Sequence, residues 1–459
     1  MKVRFKGSKI STFFFSAFAV LICIFNFNQQ NFFTPTDIEV WLPDFLALKG
    51  CLQDQGSISS CSALSKFPLA YLGESAVLST MAQLKISLAL GTSLLNAFFS
   101  LVAFALLVPI LPGIRNGLNL VKICIVILLT PLPWFYFQSG AIEYQSGLLL
   151  AIVSASFGFL VRRNGIYAAL TTKQTYAGIL LFASSFLFGL YKDTQSILLI
   201  SSLLISLLLF QFLFGKHLRI SFSAACVLLS GCLTSTIASL SYNFYRYNDI
   251  LPRNYLHEAI HRTPDVQQKF FNLLGIWFSP SGGVVSFWGL SIIYISTVVS
   301  YRAFKRPEVV LTSSFLLLSS IALASWWSPF GWFSWGNRLI IPSVMGFLFS
   351  LLLSSFDRRD TALEELILLK LANSSKWNPL KWLLSTSLAL TIACSSYYLI
   401  RPAFISTRAK VFYEYHNSSP ECQAWLHQDQ NSKSGDAFWR SRTYYDCVSS
   451  RFWQPIQSW

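Results

Sequence analysis

Residues 143–163 read EYQSGLLLAIVSASFGFLVRR: one carboxylate, then residues 144–161 without a charge, then Arg162 and Arg163. An uncharged run of about 17 to 25 residues is long enough to cross the hydrocarbon layer as a helix, and charges at its two ends mark where it meets water. The same pattern recurs along the chain. About eleven runs qualify by this length rule, near 11–28, 83–110, 118–135, 144–161, 175–191, 196–214, 220–241, 282–300, 309–326, 340–356 and 383–400. Runs of that length call for helices rather than barrel strands. The expected fold is therefore an all-α, multi-pass membrane bundle.

Composition leads to the same class. Of 459 residues 53% are hydrophobic and only 12% charged, and the mean hydropathy is +0.51. That is more apolar surface than one soluble core can bury. The formal charge of +15 raises the question of nucleic acid. The cations, however, fall in alternate short connections: Arg115 and Lys122, Arg162 and Arg163, Lys216 and Arg219, Arg302 with Lys305 and Arg306, and Arg358 with Arg359. Such clustering follows the positive-inside rule, so these connections are expected to be cytoplasmic and no nucleic-acid partner is implied.

That assignment places the N-terminus inside and the C-terminus outside, with residues 29–82, 135–143, 192–195, 242–281, 327–339 and 401–459 on the outer face. Cys51, Cys61, Cys422 and Cys447 fall in outer segments, whereas Cys23, Cys124, Cys226, Cys232 and Cys394 fall inside spans. Two outer disulfides fit an oxidising compartment, with Cys51 to Cys61 and Cys422 to Cys447 as one pairing. The organisation expected is a membrane domain over 1–400 and a small, disulfide-stapled extracytoplasmic segment over 401–459. STFFFSAFAVLICIFNFN, residues 11–28, follows a basic start but lacks a small-residue cleavage site, so it reads as an uncleaved first span. TALEELILLKLANSSKWNPLKW, residues 361–382, reads as an amphipathic helix at the cytoplasmic interface.

The first outer segment begins TPTDIEVWLPDFLALKG. Thr36 with Glu39 makes a capping box, and Trp41, Phe45 and Leu48 recur at helical spacing, which predicts a short helix along the membrane surface. Asp37 and Glu39 have two readings. They stabilise the helix start, each by up to about 1 kcal/mol, or Asp37 acts as a base toward a hydroxyl held at headgroup level against a lipid-linked donor. Glu143 is either a solvated helix end or a carboxylate facing the same cleft. Lys192 either snorkels or holds a lipid phosphate. Arg246, Arg253 and Arg262 lie among tyrosines in SLSYNFYRYNDILPRNYLHEAIHRTPD, and an aromatic belt accounts for the tyrosines but not for the arginines. In SWWSPFGWFSWGNRLIIPS, residues 325–343, Arg338 follows an aromatic shelf. Its planar fork suits a phosphate, and Trp332 and Trp335 can stack on a sugar ring; the other reading is a snorkelling arginine in an aromatic girdle.

HEAIH, from His257 to His261, matches H-E-x-x-H, in which two histidines one turn apart bind zinc and Glu258 serves as base. Pro264 limits that helix, and a third ligand would have to come from His416, His427 or a distant carboxylate. Zinc is thus the lesser reading.

SYNFYRYNDILPRNY, NLLGIWFSPSGGVVSFW and WWSPFGWFSWGNRLIIPSVMGFLF together resemble the paired signatures of bacterial multi-spanning glycosyltransferases of the GT-C fold. The resemblance covers roughly 240–345, and more loosely the acidic segment around Asp37. It implies a GT-C-like bundle in the bacterial inner membrane that moves a sugar from a polyprenyl-phosphate donor to a lipid or cell-surface glycan acceptor on the outer face, as in cell-envelope polysaccharide biosynthesis. Asp37 maps to the expected base and Arg338 to the Gly-x-Arg arginine. Here Ile38 separates Asp37 from Glu39, where the family's acidic pair is often adjacent. SPSGG lacks the basic residue common at that turn, which leaves Lys192, Arg246, Arg253 or Arg338 to bind phosphate. No cofactor is required, although Asp37 and the leaving phosphate could share a divalent Mg or Mn ion. A transporter or flippase of lipid-linked glycans is the alternative, followed by a zinc protease.

Overall fold

The computed structural model describes residues 36–55, 69–86, 88–107, 109–110, 142–163, 172–214, 222–247, 250, 263–278, 283–285, 288, 306–326 and 338–354. Among them the regular structure is helical and no strand occurs. The helices are α1 (Thr36–Gln55), α2 (Leu69–Gln83), α3 (Leu88–Leu107), α4 (Ile142–Arg163), α5 (Thr172–Tyr191), α6 (Asp193–Phe214), α7 (Phe222–Tyr247), α8 (Val266–Phe278), α9 (Pro307–Ala324) and α10 (Ile341–Ser354). A 3₁₀ turn, Arg338–Ile340, leads into α10.

Among the described residues five helices are long and apolar enough to cross a membrane: Leu90–Leu107, Glu143–Arg162, Thr172–Tyr191, Ser223–Tyr245 and Pro307–Ala324. Thr194–Leu209 and Ile341–Ser354 are shorter apolar helices. These seven fall on seven of the expected spans. The runs at 11–28, 118–135 and 383–400, most of 282–300, the amphipathic segment 361–382 and the segment 401–459 lie outside the described residues.

The EYQS…VRR stretch becomes α4, the centre of the bundle. Its span is 94% buried, and it packs against α3, α5, α7, α9 and α10. A helix wrapped by neighbours on all sides needs no polar face, and residues 148–160 are accordingly apolar apart from Ser154 and Ser156. Outward, α5, α6 and α7 turn Ile179, Leu187, Ile197, Leu204, Leu233 and Ile237 away from the core. Exposed leucine and isoleucine along span-length helices is what lipid contact requires.

Helix directions follow from close contacts. A Cβ on Gly346 would stand 2.5 Å from a Leu150 methyl, and one on Gly147 would stand 2.7 Å from the sulfur of Met345. The two glycines let α4 and α10 approach closely and run parallel, so the Arg338 turn lies at the head of α4. At the tail Arg162 pairs with Glu308, the second residue of α9, so α9 is antiparallel to α4. Tyr191, ending α5, bonds to Gln145, starting α4, so α5 is antiparallel as well.

Three expectations need correction. The outer segment 29–82 is not a surface helix and loop alone. α1 runs a full 20 residues through Pro43, and α2 forms a hairpin with α3 that buries Leu78 and Glu74. The expected loop 192–195 is a single residue, Lys192, between α5 and α6. α7 continues past the expected end at 241 to Tyr247, which puts Arg246 on a helix rather than in a loop. Phe45 and Leu48 of α1 are half-buried, as their spacing predicts, and Leu42 packs against the core. Cys51 is disulfide-bonded. Its partner, like Cys61, Cys422 and Cys447, lies outside the described residues, whereas Cys226 and Cys232 are free thiols inside α7.

Candidate functional site

The two ends of α4 carry its charges. A rise of about 1.5 Å per residue takes the backbone roughly 30 Å from Glu143 to Arg162, the thickness of the hydrocarbon layer. At the tail, Glu308 is fully buried against Arg162, whose side chain is partly exposed. A Cβ on Gly158 would lie 2.7 Å from the Glu308 carboxyl carbon, so glycine is what makes room for this pair. One turn inward along α9, Thr312 bonds to Ser350 of α10 at 2.6 Å.

The head is far more polar. Each of four consecutive residues beginning α4 reaches a different neighbour. The Glu143 carboxylate lies 3.9 Å from the Lys192 ammonium, between α5 and α6. The Tyr144 hydroxyl shares a 2.6 Å hydrogen bond with Ser100 of α3. The Gln145 amide nitrogen donates to Asn96 Oδ1 of α3 at 3.0 Å and to Glu74 Oε1 of α2 at 3.3 Å. Its oxygen accepts from the Tyr191 hydroxyl at 2.8 Å. Ser146 donates to Gln195 of α6 at 3.1 Å, and beside it Ser196 bonds Ser235 of α7 at 2.6 Å.

Every hydroxyl and amide in this group is at least nine-tenths buried. In a low-dielectric interior such bonds hold their geometry, because breaking one leaves a polar group with no water to replace it. The head of α4 is therefore a rigid polar hub that fixes α2, α3, α5 and α6 relative to one another. Hydroxyls, amides and carboxylates are also the groups that bind sugars, and an ammonium is one that binds phosphate.

The residues singled out in the sequence divide as follows. Glu143 and Lys192 meet. Glu143 is buried, so the solvated-end reading is excluded, and Lys192 keeps 34% of its side chain exposed while pairing with it. Arg338 lies in the turn before α10, at the same end of the bundle. Arg246 belongs to the last turns of α7. Gly189 would clash with Ser235 if it carried a Cβ, which sets α7 level with α5 there, so α7 carries Arg246 roughly 13 Å beyond the level of Tyr191. Asp37 and Glu39 sit in the first turn of α1, which packs on α2, the helix that brings Glu74 to Gln145. The side chains of Asp37, Glu39, Arg246 and Arg338 lie outside the described residues. So do Arg253, Trp332 and Trp335 and the whole of His257, Glu258 and His261. Among the described residues no group of three or more His, Cys, Asp or Glu is placed to hold a metal ion.

Sequence reasoning missed Glu74, Asn96, Gln145, Tyr191 and Gln195. Gln145 stood in plain view beside Glu143, and its polarity inside a predicted span was the available signal. Glu74 was hidden because one charge in LAYLGESAVLST broke the apolar run and left α2 unrecognised as a bundle helix.

Matched against family models, curated proteins and solved structures, the chain finds no counterpart.

Proposed function

We propose that this protein is a membrane-embedded glycosyltransferase of GT-C type, acting at the end of the bundle where α4 begins. One observation carries the reading: a buried Glu143 meets the partly exposed Lys192 at the head of the central helix, and the turn bearing Arg338 leads into a helix packed parallel beside it. Glu143, Lys192 and the Arg338 turn share one end of the bundle, and in this reading that end lies at the depth of a lipid-linked phosphate.

In this mechanism the donor is a polyprenyl-phosphate sugar. Asp37 takes the proton of an acceptor hydroxyl, the hydroxyl oxygen forms a bond to the anomeric carbon, and the bond from that carbon to the phosphate oxygen breaks with its electron pair leaving on the phosphate. Lys192, Arg246, Arg253 and Arg338 are the cations available to stabilise the departing phosphate, commonly the largest catalytic contribution. Glu143 holds the Lys192 ammonium in place. Trp332 and Trp335 supply stacking surfaces for a sugar or headgroup. Lipid or cell-surface glycan is the acceptor class, and the site belongs on the outer face of a bacterial inner membrane.

The test is to incubate membranes containing the protein with a panel of labelled polyprenyl-phosphate sugars. Transfer of label to a lipid or glycan, abolished by Asp37→Asn at normal expression, is the expected result. Undiminished transfer by Asp37→Asn would remove Asp37 from the mechanism. Translocation of the labelled lipid without bond formation would replace the enzyme by a transporter.

A further inference from the structure

Asn96 is fully buried on α3, and only half of its amide is used. Its Oδ1 accepts from Gln145 at 3.0 Å, while its Nδ2 meets no acceptor. A simple rotation of the Gln145 amide would supply one, by turning the Gln145 oxygen toward Asn96. Glu74 forbids this: its carboxylate, a pure acceptor when ionised, lies 3.3 Å from the same Gln145 nitrogen and would then face an oxygen. The Tyr191 hydroxyl, donating to Gln145 Oε1 at 2.8 Å, locks that orientation from the other side. The network is thus built so that a buried N–H donor stands unused beside a buried carboxylate. Leaving such a donor unmade is unfavourable, and an apolar residue here would avoid the penalty.

A guest that accepts from Asn96 and donates to Glu74 completes this arrangement. A phosphate or carboxylate accepts but cannot donate, and Glu74 repels it; an ammonium donates but cannot accept. A hydroxyl does both, and a carboxylate has lone pairs for several donors. We infer that Asn96 and Glu74, where α2, α3 and α4 meet, form a binding site for one hydroxyl group of a carbohydrate. The inference rests on the glycosyltransferase reading for its choice of carbohydrate over other alcohols. It deepens that reading by giving α2 and α3 a part in choosing the sugar. A hydroxyl read by an amide and a carboxylate discriminates strongly, because an analogue lacking it leaves the Asn96 donor unmade.

The test uses the purified full chain in detergent, with thermal shift on adding a panel of methyl glycosides and their singly deoxygenated analogues. The expected result is a shift of several degrees with at least one glycoside, lost when a single hydroxyl is removed. In Asn96→Leu and Glu74→Gln the half-saturating concentration rises about ten- to hundredfold. Asn96→Leu should also melt no more than a few degrees below the parent, since it removes the unused donor together with one accepted bond. If no glycoside shifts the melting point, or if both variants respond like the parent, the guest is an ordered water and the inference fails. A normal binding response without any sugar transfer would overturn the proposed reaction and leave this site standing. Transfer with unaltered KM for both substrates in both variants would do the reverse.

Discussion

Gly158 and Glu308 show how much depends on one missing methyl. The Glu308 carboxyl group occupies the space a Cβ at 158 would need, and Arg162 neutralises it at the tail of α4. Removing one partner of a buried pair leaves a charge with nothing to solvate it, which costs about 3 to 5 kcal/mol. Arg162→Leu is therefore expected to lower the unfolding free energy in detergent by about that much, and Arg162→Leu with Glu308→Leu to recover most of it. A double variant no more stable than the single would show that the pair matters by its contacts rather than its charge. Gly158→Ala should destabilise by about 1 to 3 kcal/mol through overpacking, and combining it with Glu308→Ala should relieve the clash. At the other end, Tyr191→Phe removes one bond to Gln145; a loss of about 1 kcal/mol in urea unfolding is expected.

At the scale of elements, the hairpin of α2 and α3 closes through a turn that asks for glycine and receives lysine. Ile86 N–H bonds Met81 O at 3.1 Å and Lys85 N–H bonds Ala82 O at 2.9 Å, a Schellman ending with Lys85 at φ 60°. A side chain in the left-handed region costs about 1 kcal/mol, so Lys85→Gly should raise the melting temperature by a few degrees. An unchanged or lower value would mean that the Lys85 side chain makes contacts worth more than the strain. Legibility also varied by element. Helices α4, α5 and α6 were readable because each is a long uncharged run with charges at its ends, and α9 because a long uncharged run follows Glu308. α2 was not, since it is short, carries Glu74 and is held by partners distant in sequence. α8 was equally hidden: it turns Asn272 inward, where its amide donates to Ala324 O at 3.1 Å, and leaves Phe270, Phe271 and Phe278 exposed. That pattern reverses what a water-facing surface helix shows.

For the whole molecule, the sequence yields direction and depth better than contact. The alternation of basic connections predicts which helix ends share a face, and the structure agrees wherever it describes them: Glu143, Lys192 and the Arg338 turn at one end, Arg162 and Glu308 at the other. Hydropathy cannot tell which side chains converge, so the hub around Gln145 emerges only from the packing. Specificity follows the same rule, because a sugar is chosen by the placement of buried donors and acceptors rather than by any short motif. Salt should have little effect on the head pair, since Glu143 is shielded from solvent ions. Melting curves of the parent and of Lys192→Met at low and high ionic strength should therefore differ by the same interval. An interval that closes at high salt would make the pair a surface ion pair after all.

The measurement that bears most directly on the proposed activity is transfer of labelled sugar from a polyprenyl-phosphate donor in membranes, for the parent, Asp37→Asn and Lys192→Met. The proposal predicts product with the parent, none above background with Asp37→Asn, and a fall of about a hundredfold in kcat/KM with Lys192→Met, in keeping with loss of one cation from a charge-stabilising site. Equal transfer by all three proteins, or no transfer from any polyprenyl-phosphate sugar by a well-folded parent, would contradict it.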